Sequence, residues 1–228
     1  MKLSISMTRR ETLLGWSYLL ISMFVLSFAF SFVNSLLPSP LSDTLLNLIY
    51  FALNFLSAVV IFHRFLGVSV KAALATPWRC LRFAALGFFL YYLSVTLLGQ
   101  VTIRLYPDFI NVNDTSISQL SKEHYTLWAL ATVWLVPISE ELFYRGLVFQ
   151  GLQREHRMLA YLVSTLVFAC IHVMGYVGLY DWLTLSLCFV QYLPAGLTLA
   201  WAYEKADTVA APILMHITIN QIGISALR

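Results

Sequence analysis

Seven stretches of this chain are each apolar for about the roughly 20 residues that a helix needs to cross a bilayer, and together they take up most of its 228 residues. They run over 13–37, 43–62, 83–103, 125–149, 158–177, 182–203 and 208–227, bounded by charges, Pro and Gly. Only 11% of the residues are charged, against roughly 25% in an ordinary soluble domain. With 60% hydrophobic residues, no water-soluble fold of this size could hide its apolar surface. The expected fold is an all-α, polytopic transmembrane bundle of about seven spans, with the lipid bilayer as its solvent.

Pro38 and Pro40 end the first run. The segment 63–82 carries four basic residues among aromatics and leucines and is expected to lie along the membrane surface. Arg9-Arg10 ahead of a long apolar run has the look of a twin-arginine signal, but the run is too long and lacks a small-x-small cleavage site, so a retained signal anchor is expected. The positive-inside rule sets the topology. With the N-terminus cytoplasmic, inner segments hold Lys2, Arg9, Arg10, Arg64, Lys71, Arg79, Arg82, Arg154, Arg157 and Lys205, and outer ones only Arg104, Lys122 and Arg228. A net charge of +3 gives no reason to expect a nucleic-acid partner. Cys80, Cys170 and Cys188 form no CxxC pair and read as small buried hydrophobes.

The fourth run contains what lipid should exclude. Glu140, Glu141 and Arg145 lie inside it, and each charge near a bilayer centre costs roughly 2.5–3.5 kcal/mol. Glu141 and Arg145 are i and i+4, so they share a face and can neutralise each other. Glu140 points about 100° away and needs another partner. Pro137 just upstream would open the helix and free backbone groups that must line protein or water. Partners stand on later spans: His172 on the fifth, His216 and Asn220 one turn apart on the seventh. At 1.5 Å per residue these groups lie roughly 12–21 Å from the cytoplasmic ends of their spans, within reach of one layer.

Each feature has a bland reading. A lone intramembrane Glu–Arg pair is more often bundle glue or a transport relay, and a lone His is more often a hydrogen-bonded core residue than a ligand. His63, His124 and His156 sit near water, and Tyr91, Tyr92, Trp128, Trp134, Trp182 and Trp201 read as packing and interface anchors. The ordered set of EExxxR, FxxxH and HxxxN on three separate spans is what points to a site.

These motifs stand as Glu140-Glu141-Leu-Phe-Tyr-Arg145, Phe168-Ala-Cys-Ile-His172 and His216-Ile-Thr-Ile-Asn220. Here the sequence resembles the CPBP family (CAAX protease and bacteriocin-processing, or Abi) of intramembrane endopeptidases. The resemblance divides the membrane domain into N-terminal helices, 1–124, and a CPBP-like core, 125–228. It implies that Glu140 is the general base, that His172 positions or shares the water, and that His216 and Asn220 are oxyanion donors, with Glu141 and Arg145 a supporting pair. A shielded carboxylate suits base catalysis near neutral pH, and an imidazole and an amide can donate to a developing alkoxide.

Glu140, His172 and His216 would also make a Glu-His-His set acceptable for zinc. The absence of HExxH and the spread over three helices favour a metal-free reaction with no cofactor. The expected substrate is a leader peptide, a bacteriocin or a membrane-inserted helix rather than a farnesylated tail, and the expected location a bacterial cell membrane. Rival classes are a transporter or proton relay, a non-catalytic membrane partner regulating another membrane protein such as a sensor kinase, and a bacteriocin self-immunity protein.

Overall fold

The computed structural model describes residues 3–226. Lys2, Leu227 and Arg228, which enter the charge count and the end of the seventh run, lie outside the described residues. The described chain is helical throughout: α1 (Arg9–Ser35), α2 (Asp43–Ile61), α3 (His63–Ala75), α4 (Pro77–Leu105), α5 (Val112–Ser121), α6 (Tyr125–Gln153), α7 (Arg157–Met174), α8 (Trp182–Ala206) and α9 (Ala210–Ser225). Six of these, α1, α2, α4, α6, α7 and α8, are long and apolar enough to cross a membrane. The chain is a multi-pass membrane protein. The expected seventh span becomes α9, whose 16 residues reach about 24 Å at 1.5 Å each, short of a hydrocarbon core of about 30 Å.

One boundary differs in an instructive way. The surface segment expected over 63–82 stops at α3, and Pro77 opens the long helix α4 with Arg79 and Arg82 already inside it. Proline suits a first helical turn, where its missing N–H would have no partner anyway. Arg79 then reaches sideways, donating from Nε and Nη2 to the Lys205 carbonyl at 3.0 and 2.8 Å, and so satisfies an acceptor at the end of α8.

Helix α6 is the axis of the bundle. Every residue from 141 to 150 is buried, whereas α1, α4 and α8 expose large apolar side chains such as Phe28, Phe89 and Trp182 on their outer faces. Phe62, Phe65, Leu142, Leu147, Phe149, Phe168, Leu199 and Met215 form the core around it. At Gly196 a Cβ would meet Thr165 Cα at 3.0 Å, so glycine is what lets the backbones of α7 and α8 approach there. Cys80 and Cys188 are buried as expected, but Cys170 is exposed on the outer face of α7; lipid accepts a thiol as readily as the core does. The three cysteines are free.

The helix ends sort the charges. Arg9, Arg10, Arg64, Lys71, Arg79, Arg82, Arg154, Arg157 and Lys205 fall where α1 and α4 begin, α6 and α8 end and α7 starts, or on α3. Arg104 and Lys122 lie at the opposite end. A reporter fused after Arg154 should therefore read as cytoplasmic and one after Asn113 as external; the reverse at both points would overturn this orientation.

Candidate active site

The glutamates owe their placement to an irregular helix. Within α6 a short α-helical stretch, Val136–Glu141, is flanked by π-helical turns at Ala131–Leu135 and Leu142–Phe149. Pro137 supplies no amide hydrogen and crowds the carbonyl one turn back, and widened turns accommodate such a break. The expected opening of the helix near Pro137 thus takes the form of π-helical winding.

Glu141 and Arg145 are fully buried and face each other, with nitrogen–oxygen distances of 3.2 and 3.3 Å. Arg145 also donates to the Gly196 carbonyl at 3.1 Å and lies over the Phe168 ring at 4.6 Å. A third partner was not visible in the spacing. His216 Nδ1 lies 2.8 Å from Glu141 Oε1, so one carboxylate serves both a guanidinium and an imidazole. Of the partners on later spans, the nearest ionic one to Glu140 is His216, with Nε2 4.0 Å from Glu140 Oε2. The imidazole of His216 thus stands between the two glutamates. Glu140 Oε2 is buried and accepts no hydrogen bond among the described residues.

Hydrogen bonding fixes the tautomers. His172 Nδ1 is 2.7 Å from the Phe168 carbonyl, which can only accept, so Nδ1 carries the proton and Nε2 is left with a lone pair. Its ring stacks on Tyr192 with centroids 4.2 Å apart. His216 Nδ1 donates to Glu141 in the same way, which turns Nε2 toward Glu140 as a lone pair in the neutral ring and as a donor only in the protonated one. Asn220 spends one amide hydrogen on the Thr132 carbonyl at 2.8 Å, within a π-helical turn of α6, and keeps the other.

Glu140, His172, His216 and Asn220 all line one cavity of about 830 Å³. It runs from Glu140 to the end of the bundle where α5 begins and α7 and α9 finish, with Asp114, Gly175 and Ala226 at that end. The zinc set of Glu140, His172 and His216 does not gather; among the described residues no three His, Cys, Asp or Glu side chains form a metal-binding group.

The resemblance assigns no role to the first three runs, yet they furnish a wall of this cavity. Asn47, Tyr50 and Asn54 line it from α2, and Ser22 and Ser27 from α1. Tyr50 donates to the Ser22 carbonyl at 3.2 Å, at the start of a π-helical turn in α1. Tyr18 donates to Asn54 Oδ1 at 3.3 Å. The i, i+3, i+7 spacing of Asn47, Tyr50 and Asn54 inside an apolar run was the signal that could have found them.

Comparison with known proteins bears on this half of the molecule. Residues 122–222 match the family described as type II CAAX prenyl endopeptidase Rce1-like, a stretch that contains all seven motif residues. The chain is 28% identical over 94 residues to the UPF0177 protein YxdF of Lactococcus lactis subsp. lactis (strain IL1403), covering 41% of this chain and 46% of that protein. It is 26% identical over 127 residues to the UPF0177 protein YbdI of the same organism, covering 53% of this chain and 64% of that one. The chain therefore spans between about half and two-thirds of the length of these curated relatives. No solved structure matches it significantly.

Proposed function

We propose that this chain, a CPBP-family membrane protein through its Rce1-like residues 122–222, is an endopeptidase that hydrolyses a peptide bond of a membrane-associated or leader-type peptide inside the bilayer. The observation that carries the reading is the buried Glu140 Oε2, which faces the cavity and accepts no hydrogen bond among the described residues. A structural carboxylate at that depth would be satisfied by the protein, as Glu141 is: its Oε1 accepts from Arg145 and His216 and its Oε2 lies 3.2 Å from Arg145 Nε. Among the described residues Glu140 has only the His216 contact, at 4.0 Å.

In this reading Glu140 takes a proton from water held against the His172 Nε2 lone pair, and the hydroxide attacks the scissile carbonyl carbon. The negative charge forming on the carbonyl oxygen meets the second amide hydrogen of Asn220 and the Nε2–H of protonated His216. Glu141 stabilises that imidazolium, as a carboxylate on the far ring nitrogen does in many histidine sites. Glu140 then returns its proton to the departing amine as the carbon–nitrogen bond breaks. Water stays sequestered among helices, where fixed dipoles act with little screening.

The test compares membranes from cells carrying the wild-type chain or Glu140→Ala by mass spectrometry of peptides. New peptide termini present only with the wild type support the reading; identical peptide sets in cells where both versions fulfil the cellular role would instead make the chain a non-catalytic membrane partner. Zinc is a separate question. Cleavage by purified protein should survive a strong chelator, and loss of activity that zinc alone restores would overturn the metal-free reaction.

A further inference from the structure

The cavity has a second polar centre, at its mouth. Tyr192 donates its hydroxyl to Asp114 Oδ1 at 3.2 Å, and Asn113 Nδ2 donates to that same hydroxyl at 2.8 Å. Tyr176 donates to Asn113 Oδ1 at 3.3 Å. Tyr91, Tyr176 and Tyr192 all line the cavity alongside Asp114. An acid in the first turn of a helix is favoured by the helix dipole, which accounts for Asp114 on α5 but not for the tyrosines around it. Among the described residues Asp114 takes part in no ion pair and no Lys or Arg lines the cavity.

A carboxylate beside electron-rich aromatic rings is the arrangement that holds an ammonium or guanidinium group, through a charge-assisted hydrogen bond and the faces of the rings. We propose that the mouth is a subsite for a basic residue, Lys or Arg, of the substrate peptide. The proposal rests on the reading of the cavity as a peptide-cleaving site and names a feature of what is cleaved.

Tyr192 ties the subsite to the chemistry, because its ring stacks on His172 at 4.2 Å while its hydroxyl reaches Asp114 at 3.2 Å. The path from the His172 ring through Tyr192 to Asp114 is about 10 Å, or two to three residues of extended chain at about 3.3 Å each. The basic residue therefore sits within a few positions of the bond that breaks. A membrane peptide presents such a residue naturally, since Lys and Arg near the end of an apolar segment extend toward the interface while their neighbours stay in lipid. A phospholipid headgroup fits less well. It would bring a phosphate beside its ammonium, and among the described residues the mouth has no basic side chain to receive it.

The test uses the full chain in phosphatidylcholine nanodiscs and two fluorescently labelled apolar peptides that differ at one position near an end, Lys in one and norleucine in the other. Fluorescence anisotropy should show the Lys peptide binding the wild type about three- to tenfold more tightly, the range of a partly shielded ion pair. Asp114→Asn should remove that preference and Asp114→Glu should keep part of it, while the norleucine peptide binds all three chains alike and so reports an intact cavity. Equal binding of the two peptides by the wild type would overturn the proposal, as would an undiminished preference in Asp114→Asn. Phosphatidylethanolamine added to the discs should leave the preference in place; its loss in the wild type would assign the mouth to a lipid headgroup and overturn the peptide subsite. Because the readout is binding, its failure leaves hydrolysis standing, whereas failure of hydrolysis appears in cleavage assays alone.

Discussion

Glu140→Gln should leave the folded protein intact and lower peptide cleavage by roughly 100- to 10,000-fold, the worth of a positioned general base. The substitution keeps the shape of the side chain and removes its basic lone pair. Folding should tolerate it because Glu140 has no close ionic partner: His216 Nε2 stands 4.0 Å away, and the buried Oε2 accepts no hydrogen bond among the described residues. His172→Ala should belong to the same class. The double variant should lose little more than either single one, since both side chains serve one water molecule. Rate measurements on purified variants check this, with thermal unfolding as the control. Full multiplicative losses in the double variant would assign Glu140 and His172 to separate steps.

Arg145→Leu should have the largest effect on stability. Arg145 and Glu141 are both fully buried, and breaking such a pair by removing one partner typically costs roughly 3–5 kcal/mol. For a chain of this size that corresponds to a drop in melting temperature of about 10 °C. The guanidinium does more than balance charge. It fills the space over Phe168 and satisfies the Gly196 carbonyl where α7 and α8 meet most closely, so leucine leaves an acceptor in α8 without its donor. Glu141 would keep His216, which tempers the loss and ties it to the imidazole between the glutamates. Low abundance and a depressed melting transition are expected; unchanged values for both would contradict the pairing.

What could be read from the sequence follows from the physics of lipid. Apolar runs set the helices because the bilayer fixes their length, and the i, i+4 pairing of Glu141 with Arg145 is local and therefore legible. Contacts between distant segments left no such trace. Arg157 grips Glu204 with two hydrogen bonds of 2.6 and 2.7 Å across 47 positions, and Glu11 accepts from the Phe65 backbone amide at 2.8 Å across 54. Neither pairing follows from spacing. His216 as a partner of Glu141 is of this kind too, and it alters the chemistry, since it ties the donor role at Nε2 to protonation. The far end of the surface segment differs for another reason: basic and aromatic residues suit an interfacial helix and the first turns of a spanning one equally well, and Pro77 marks a beginning. The polar wall of α1 and α2 was passed over because Asn and Tyr in an apolar run carry no charge to draw notice, although buried amides need partners as surely as carboxylates do.

The most direct test of peptide hydrolysis at Glu140 uses the purified chain reconstituted in a bilayer with an extract of small membrane peptides, in water labelled with heavy oxygen. Mass spectrometry should find new C-termini carrying one labelled oxygen with the wild type and none with Glu140→Gln. Labelled termini appearing equally with both, or none with a wild-type chain whose Glu140→Gln counterpart still performs the cellular role, would contradict it.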